Sequence, residues 1–343
     1  MTVSSPNASP GHPSAPTRDI SGTSSPKPSR GSSSLRVVNP KNSKFSVFFR
    51  GLSGATPISD LPKQAEKKQG REVHIIKELS ARGGSGCTVY SVTVEGWLAA
   101  LKKIDLNFLT PSFKSEIKIL ESLPMHEHVV RYLGHDYTDS ECRLFMELWD
   151  CTLGQILTER RNTDLYFEPP EILRVSLHVA EGLRFLHQNR IIHRDLKTDN
   201  IFVRRHKSVL QWAAIGDFDT AKDTFESQAK TTVGSPSIIA PEVLAGKSQV
   251  AYTDKCDVFS FGILLYEFVT LKLPWAGIPM LQTANLILSG AVPVTPPELP
   301  KQYEPFQGLW LACLKFEPQD RPSIEQIITF LTKLESLLES QSP

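Results

Sequence analysis

The sequence predicts an α+β chain of two lobes, a small β-rich N-lobe and a larger helical C-lobe with a cleft between them. Three observations predict it. Residues 73–104 hold short apolar runs separated by turn residues. From about residue 171 onward, long apolar runs recur at helical spacing. The first 72 residues follow neither period.

Of the first 40 residues, 24 are Ser, Thr, Pro or Gly. Such a segment buries too little apolar surface to offset its ordering entropy, so residues 1–72 are expected to be a disordered, basic, Ser/Pro-rich tail. Residues 1–70 carry 10 Lys/Arg and 3 Asp/Glu, a net of +7, while the remainder carries 28 and 34, a net of −6. A basic arm can touch nucleic acid, anionic lipid or acidic protein surfaces. No nucleic-acid-binding signature accompanies it, so a solvated arm with no specific nucleic-acid partner is the expectation. Ser5, Ser9, Ser25 and Thr56 each precede proline and are candidate phosphorylation sites. FSVFFRGL (45–52) is an apolar cluster suited to docking on the domain or on a partner.

Next in order, HIIKEL, CTVYSVTV and WLAALKKI read as three strands, joined by a glycine-rich loop and a Glu-Gly turn. SFKSEIKILESL has helical spacing, with Phe113, Ile117, Leu120 and Leu123 on one face. RLFMELW reads as a further strand. EILRVSLHVAEGLRFLHQ, DVFSFGILLYEFVTL, ANLILSG and IEQIITFLTKLESLLES read as helices. The last repeats Ile324, Ile327, Ile328, Leu331, Leu334 and Leu338 over barely two heptads. That is short for a coiled coil, so it is expected to pack within its own domain. The folded domain is bounded at 73–334, with 335–343 as a short C-terminal tail.

Hydrophobic residues at 40% and charged residues at 22% suit a soluble globular domain. The apolar run FGILLYEFVTLKLPW is interrupted by Glu267 and Lys272 and is too short to span a bilayer. No apolar signal segment opens the chain, and the five cysteines show no CxxC spacing. A reduced, cytoplasmic setting with possible nuclear access is therefore expected, with oligomeric state left open.

IIHRDLKTDNIFV (191–203) is the most informative run. It resembles the catalytic loop of eukaryotic protein kinases, His-Arg-Asp-Leu-Lys-x-x-Asn, at every motif position. The resemblance spans residues 73–334 and implies a bilobal protein kinase fold with a nucleotide cleft, using ATP and Mg2+. It implies that Asp195 orients and deprotonates an attacking hydroxyl and that Lys197 neutralises the transferred phosphoryl group. Asn200 and Asp217 hold metal. AALKKI places Lys102 at the phosphate-holding position, with Lys103 as neighbouring rival; SEIKIL places Glu116 as its partner, with Glu121 as rival. LSARGGSGCTVY (79–90) is similar to the family's glycine-rich loop, so Leu79, Ala81, Gly83, Gly84, Ser85, Gly86 and Cys87 are candidate nucleotide contacts. Ala81 stands where the first glycine falls. Thr88 or, in another register, Val89 lies under the adenine. Met146 guards the back of the pocket, and Glu147 to Trp149 form the hinge.

The same resemblance implies a structural ion pair between Glu242 of Ala240-Pro241-Glu242 and Arg321, a tie from Asp257 to the catalytic loop, and a scaffolding role for His193. Lys197 and Ser235 resemble serine/threonine kinases, so substrates are proteins bearing Ser/Thr. DVFSFGILLYEFVT and CLKFEPQDRP look most like the tyrosine-kinase-like branch. Thr231 and Thr232 are candidate sites for an upstream activating kinase, with Arg194 as the basic partner; Thr224 and Ser227 are less well placed.

One position departs from the pattern. GDFDTAK (216–222) carries Asp219 where the family has glycine. The metal ligand Asp217 and the packing residue Phe218 remain, and Asp tolerates unusual backbone angles better than most side chains. Asp219 is therefore read as a tolerated change that adds local charge without deleting a ligand, and its replacement by glycine is expected to leave nucleotide affinity nearly unchanged. An active kinase is the reading; the alternative is a pseudokinase or ATP-responsive scaffold.

Overall fold

The computed structural model describes residues 72–80, 87–161, 163, 165–223, 236–246 and 253–341. The Ser/Pro-rich tail with FSVFFRGL, the loop residues Ala81 to Gly86, and Thr224, Ser227, Thr231, Thr232 and Ser235 lie outside the described residues.

The first part is an antiparallel five-stranded sheet, in spatial order β1-β2-β3-β5-β4. β1 spans Val73–Ser80, β2 Thr88–Val94 and β3 Trp97–Asp105. Glu95 and Gly96 close the β2–β3 hairpin with φ of 53° and 87°, the two-residue positive-φ turn that matches strand twist. Helix α1 (Pro111–Ser122) starts at Thr110, whose side chain accepts from the Phe113 amide, with Pro111 preset for the first turn. Phe113, Ile117 and Leu120 are buried as the spacing predicts, and the fourth residue of that face, Leu123, is half-buried against the same core. β4 (Tyr132–Tyr137) and β5 (Glu141–Met146) complete the sheet.

The second part begins with β6 (Cys151–Thr152), α2 (Leu153–Arg160) and the long α3 (Pro169–Gln188). β7 (Ile191–Ile192), β8 (Ile201–His206), β9 (Val209–Ile215) and β10 (Lys222–Asp223) flank the catalytic-loop sequence. Then come α4 (Pro241–Leu244), α5 (Lys255–Thr270), α6 (Met280–Leu288), α7 (Glu304–Cys313) and α8 (Ile324–Gln341). α5 is apolar nearly all round and buried along most of its length, as a central helix must be. α8 packs on α3, with Ile324, Ile327, Ile328 and Leu331 buried. The domain boundary expected at 334 is not an element end. Leu334 and Leu338 continue the apolar spacing against the core, so α8 carries on through Gln341. No described helix is long and apolar enough to cross a membrane.

A stack of rings fastens the segment between α1 and β4 to the helical part. His128 stacks on His178 at 4.2 Å, and His178 on Trp212 at 5.2 Å. The Ala213 backbone bonds both imidazoles, its carbonyl to His128 Nδ1 at 3.0 Å and its amide donating to His178 Nδ1 at 3.3 Å. Gly182 of α3 permits this closeness: a Cβ there would stand 2.6 Å from the His128 carbonyl. Burial lowers His128 to about 4 and, helped by His128 and Arg174, lowers His178 to about 3. The unfolded chain protonates these rings near 6.5, so their contribution is complete above that pH and is lost as pH falls toward about 4. Urea midpoints should therefore drop over that window, and His178→Phe should flatten the drop.

Candidate active site

Lys102 sits on β3 directly opposite Val89 of β2 and Leu144 of β5. Opposed residues share a face, so Val89, not Thr88, lies on the Lys102 face. Its Nζ is 2.8 and 3.0 Å from the two carboxylate oxygens of Glu116 on α1. Lys103 pairs with Glu141 at 2.8 Å, and Glu121 meets Tyr132 and His135. Both rivals are thereby excluded. Period two in the strand sends adjacent lysines to opposite faces, and five residues along α1 carry Glu121 to a different side.

The catalytic-loop sequence is held by four anchors. Asp257 of α5 accepts the backbone amides of His193 and Arg194, each at 2.9 Å, and also His187 Nε2 at 2.9 Å. Although burial works against it, these donors, His187 first, hold its carboxyl below the usual range. His193 Nε2 lies 3.1 Å from the Gly216 carbonyl, and its ring meets Phe218 edge-on at 5.3 Å. The Thr220 hydroxyl donates to the His193 carbonyl. Thr198 donates to Glu267, which also pairs with Arg161. In the sequence Glu267 stands out only as an interruption of an apolar run; a charge on an otherwise buried helix is the signal that it fastens something.

Within the loop, Lys197 Nζ donates to Asp195 Oδ2 at 2.6 Å. Asn200 Nδ2 donates to the Asp195 carbonyl at 2.8 Å and to its Oδ2 at 3.2 Å. Arg194 and Asp217 take left-handed backbone, φ 65° and 61°; each such residue costs on the order of 1–3 kcal/mol and is held by its surroundings. Asp257 and the Thr220 carbonyl hold Arg194, and Lys102 holds Asp217.

Asp217 Oδ1 is 3.0 Å from Lys102 Nζ, and so is Asp219 Oδ1. The reading of Asp219 as a tolerated bystander is corrected here: its carboxylate is a direct partner of Lys102. The glycine's conformational freedom is not required at 219, because the positive φ falls on Asp217. Burial opposes it, but the Lys102 ammonium holds Asp217 below the carboxylate range. Burial would lower Lys102, yet Glu116, Asp217 and Asp219 together keep it firmly protonated.

A profile of the protein kinase domain matches residues 73–330. The chain belongs to that family. It is 36% identical over 269 residues to the kinase and exchange factor for Rac B of Dictyostelium discoideum, covering 75% of this chain and 24% of that protein. It is 32% identical over 258 residues to a probable serine/threonine-protein kinase, drkC, of the same organism, covering 71% and 33%. It is 32% identical over 270 residues to serine/threonine-protein kinase STY17 of Arabidopsis thaliana, covering 76% and 45%. The chain thus spans less than half the length of these relatives.

In this kinase domain the described candidate nucleotide contacts lie on β1, just before β2 and after β5. Leu79 on β1 is 41% exposed. The Cys87 side chain is buried in the core, and its backbone leads directly into β2. Glu147 and Trp149 follow β5 as expected. Arg204 of β8, which the sequence did not single out, bonds Glu147 Oε1 at 2.8 Å and the Leu148 carbonyl at 3.2 Å, and lies 4.6 Å over the Trp149 ring. It pins the connection between the two parts.

Proposed function

We propose that the chain is an ATP-dependent protein kinase that phosphorylates serine and threonine hydroxyls. The carrying observation is the convergence of Lys197 Nζ and Asn200 Nδ2 on one oxygen of Asp195. These two donors orient the Asp195 carboxylate as the group that receives a hydroxyl proton. In the transfer, the substrate oxygen bonds to the γ-phosphorus as the bond to the bridging oxygen breaks. Asp195 takes the proton and ADP leaves. Lys197 neutralises charge on the moving group, and Lys102, aligned by Glu116, holds the remaining phosphates.

The residues present fit a divalent cation. Asn200 uses its amide nitrogen internally, which leaves its oxygen as a donor to metal, and Asp217 adds a carboxylate; oxygen donors of this kind suit Mg2+. When bound, Mg2+ supplies charge neutralisation at the phosphates. Serine/threonine preference is supported by Lys197 and by the names of the relatives at 31–32% identity. Membership of the tyrosine-kinase-like branch, and activation by phosphate on Thr231 or Thr232, belong to the same proposal.

The test is transfer of labelled phosphate from ATP with Mg2+ to a generic protein, followed by phosphoamino-acid analysis. Phosphoserine and phosphothreonine are expected. Lys102→Met should lower the rate by about 10²–10³-fold, the loss usual when a charge-stabilising donor is removed from an active site. Equal labelling by the variant and the parent would reject the proposal.

A further inference from the structure

Lys102 has three N–H donors and four carboxylate oxygens within 3.0 Å: two from Glu116, one from Asp217 and one from Asp219. Its donors are saturated inside the protein. One ammonium faces three acidic side chains, so acidic groups outnumber the base. The Lys102 side chain is 7% exposed and that of Asp219 22%, so water screens the group only in part.

The Lys102–Glu116 pair needs only one acidic residue, and Glu116 already engages the ammonium with both oxygens. Asp217 has a second duty as a candidate metal ligand, and taking up a cation would draw it away from Lys102. Asp219 also faces Glu116, and the ligand atoms of Glu116, Asp217 and Asp219 all lie within 4.8 Å of one another. Asp219 stands in the position where the family pattern has a residue with no side chain, and it reaches the same nitrogen that phosphate must reach.

We infer that Asp219 is an internal competitor for Lys102: it takes the place of a nucleotide phosphate oxygen and makes nucleotide binding depend steeply on a divalent cation. The inference rests on the kinase reading above and adds the regulation of its nucleotide site. Without a cation, an incoming polyphosphate meets a saturated ammonium and an unneutralised carboxylate. With a cation, positive charge beside Asp217 offsets the surplus, and Lys102 exchanges Asp219 for phosphate. Asp219 is thus a positioning residue acting through Lys102.

The test measures affinity for fluorescent ADP, on the full chain, in EDTA and in saturating Mg2+, for the parent, Asp219→Asn and Asp219→Gly. The asparagine variant keeps the shape and removes the charge; the glycine variant removes both. In EDTA both should bind about tenfold tighter than the parent, the scale of one partly buried charge. In Mg2+ the gain should shrink to less than about threefold. Introducing Lys102→Met should cut the EDTA gain from Asp219→Asn by at least about half, because competition needs the ammonium. An unchanged or weakened EDTA affinity in both variants, or the same factor with and without Mg2+, overturns the inference. Failure of the parent to bind nucleotide even in Mg2+ would remove the kinase reading as well. Parent binding in Mg2+ with variants unchanged in EDTA would remove the competitor alone.

Discussion

Asp195→Asn should lower turnover by about 10²–10⁴-fold, the range set by losing a positioned general base, while the unfolding midpoint stays close to that of the parent. The substitution is nearly isosteric, so packing is preserved. Its chemistry is not. Asp195 now accepts from both Lys197 and Asn200. An amide can offer its single oxygen to those donors, which leaves its NH2 toward the substrate hydroxyl, where an acceptor is needed. The loop itself is held by Asp257 through the His193 and Arg194 amides, and by the Asn200 contact to the Asp195 carbonyl, none of which involves the carboxylate. Steady-state rates with a protein substrate, together with a thermal melt, separate the two effects. Near-normal turnover in a folded variant would take Asp195 out of the chemistry.

The site was legible where residue type and spacing are dictated by the reaction. Asp195, Lys197, Asn200 and Asp217 lie in two short runs, and chemistry fixes their identity. The choice between Lys102 and Lys103 was less secure in the sequence, because both are basic and adjacent; strand period resolves it by putting one beside Glu116 and the other beside Glu141. The same holds for Thr88 and Val89, which only register across β2 and β3 can separate. Strands β8 and β9 were not named as a hairpin within the helical half, since short apolar runs such as QWAAI carry too few residues to fix a period. α2 and α7 were missed for a related reason: LGQILTER and EPFQGLWLAC are short and weakly patterned. Asp219 was misjudged because its partner is 117 residues away, and no local pattern reports a contact of that range.

Arg321→Ala should destabilise the chain by about 3–5 kcal/mol, the range for removing one member of a buried ion pair. The side chain is fully buried and uses every donor it has. Nη1 and Nη2 each meet a Glu242 oxygen at 2.7 Å, so the pair is bidentate. The remaining donors reach the carbonyls of Lys255 at 2.8 Å, Phe316 at 2.9 Å and Lys315 at 2.8 Å. One guanidinium thus joins α4, the start of α5 and the turn after α7. Alanine would strand the Glu242 carboxylate and three carbonyls together. Arg321→Lys keeps the charge but loses the planar fork, so it should recover only part of the loss. Glu242→Gln should cost less than Arg321→Ala, because the carbonyl contacts survive. The double variant Glu242→Ala/Arg321→Ala should be less destabilised than the sum of its single variants, since the stranded charge is gone. Urea unfolding with comparison of midpoints at constant slope reads all of these. A loss below about 1 kcal/mol for Arg321→Ala, the level of an exposed pair, would mean that water replaces the guanidinium and that the pair does not fasten these elements.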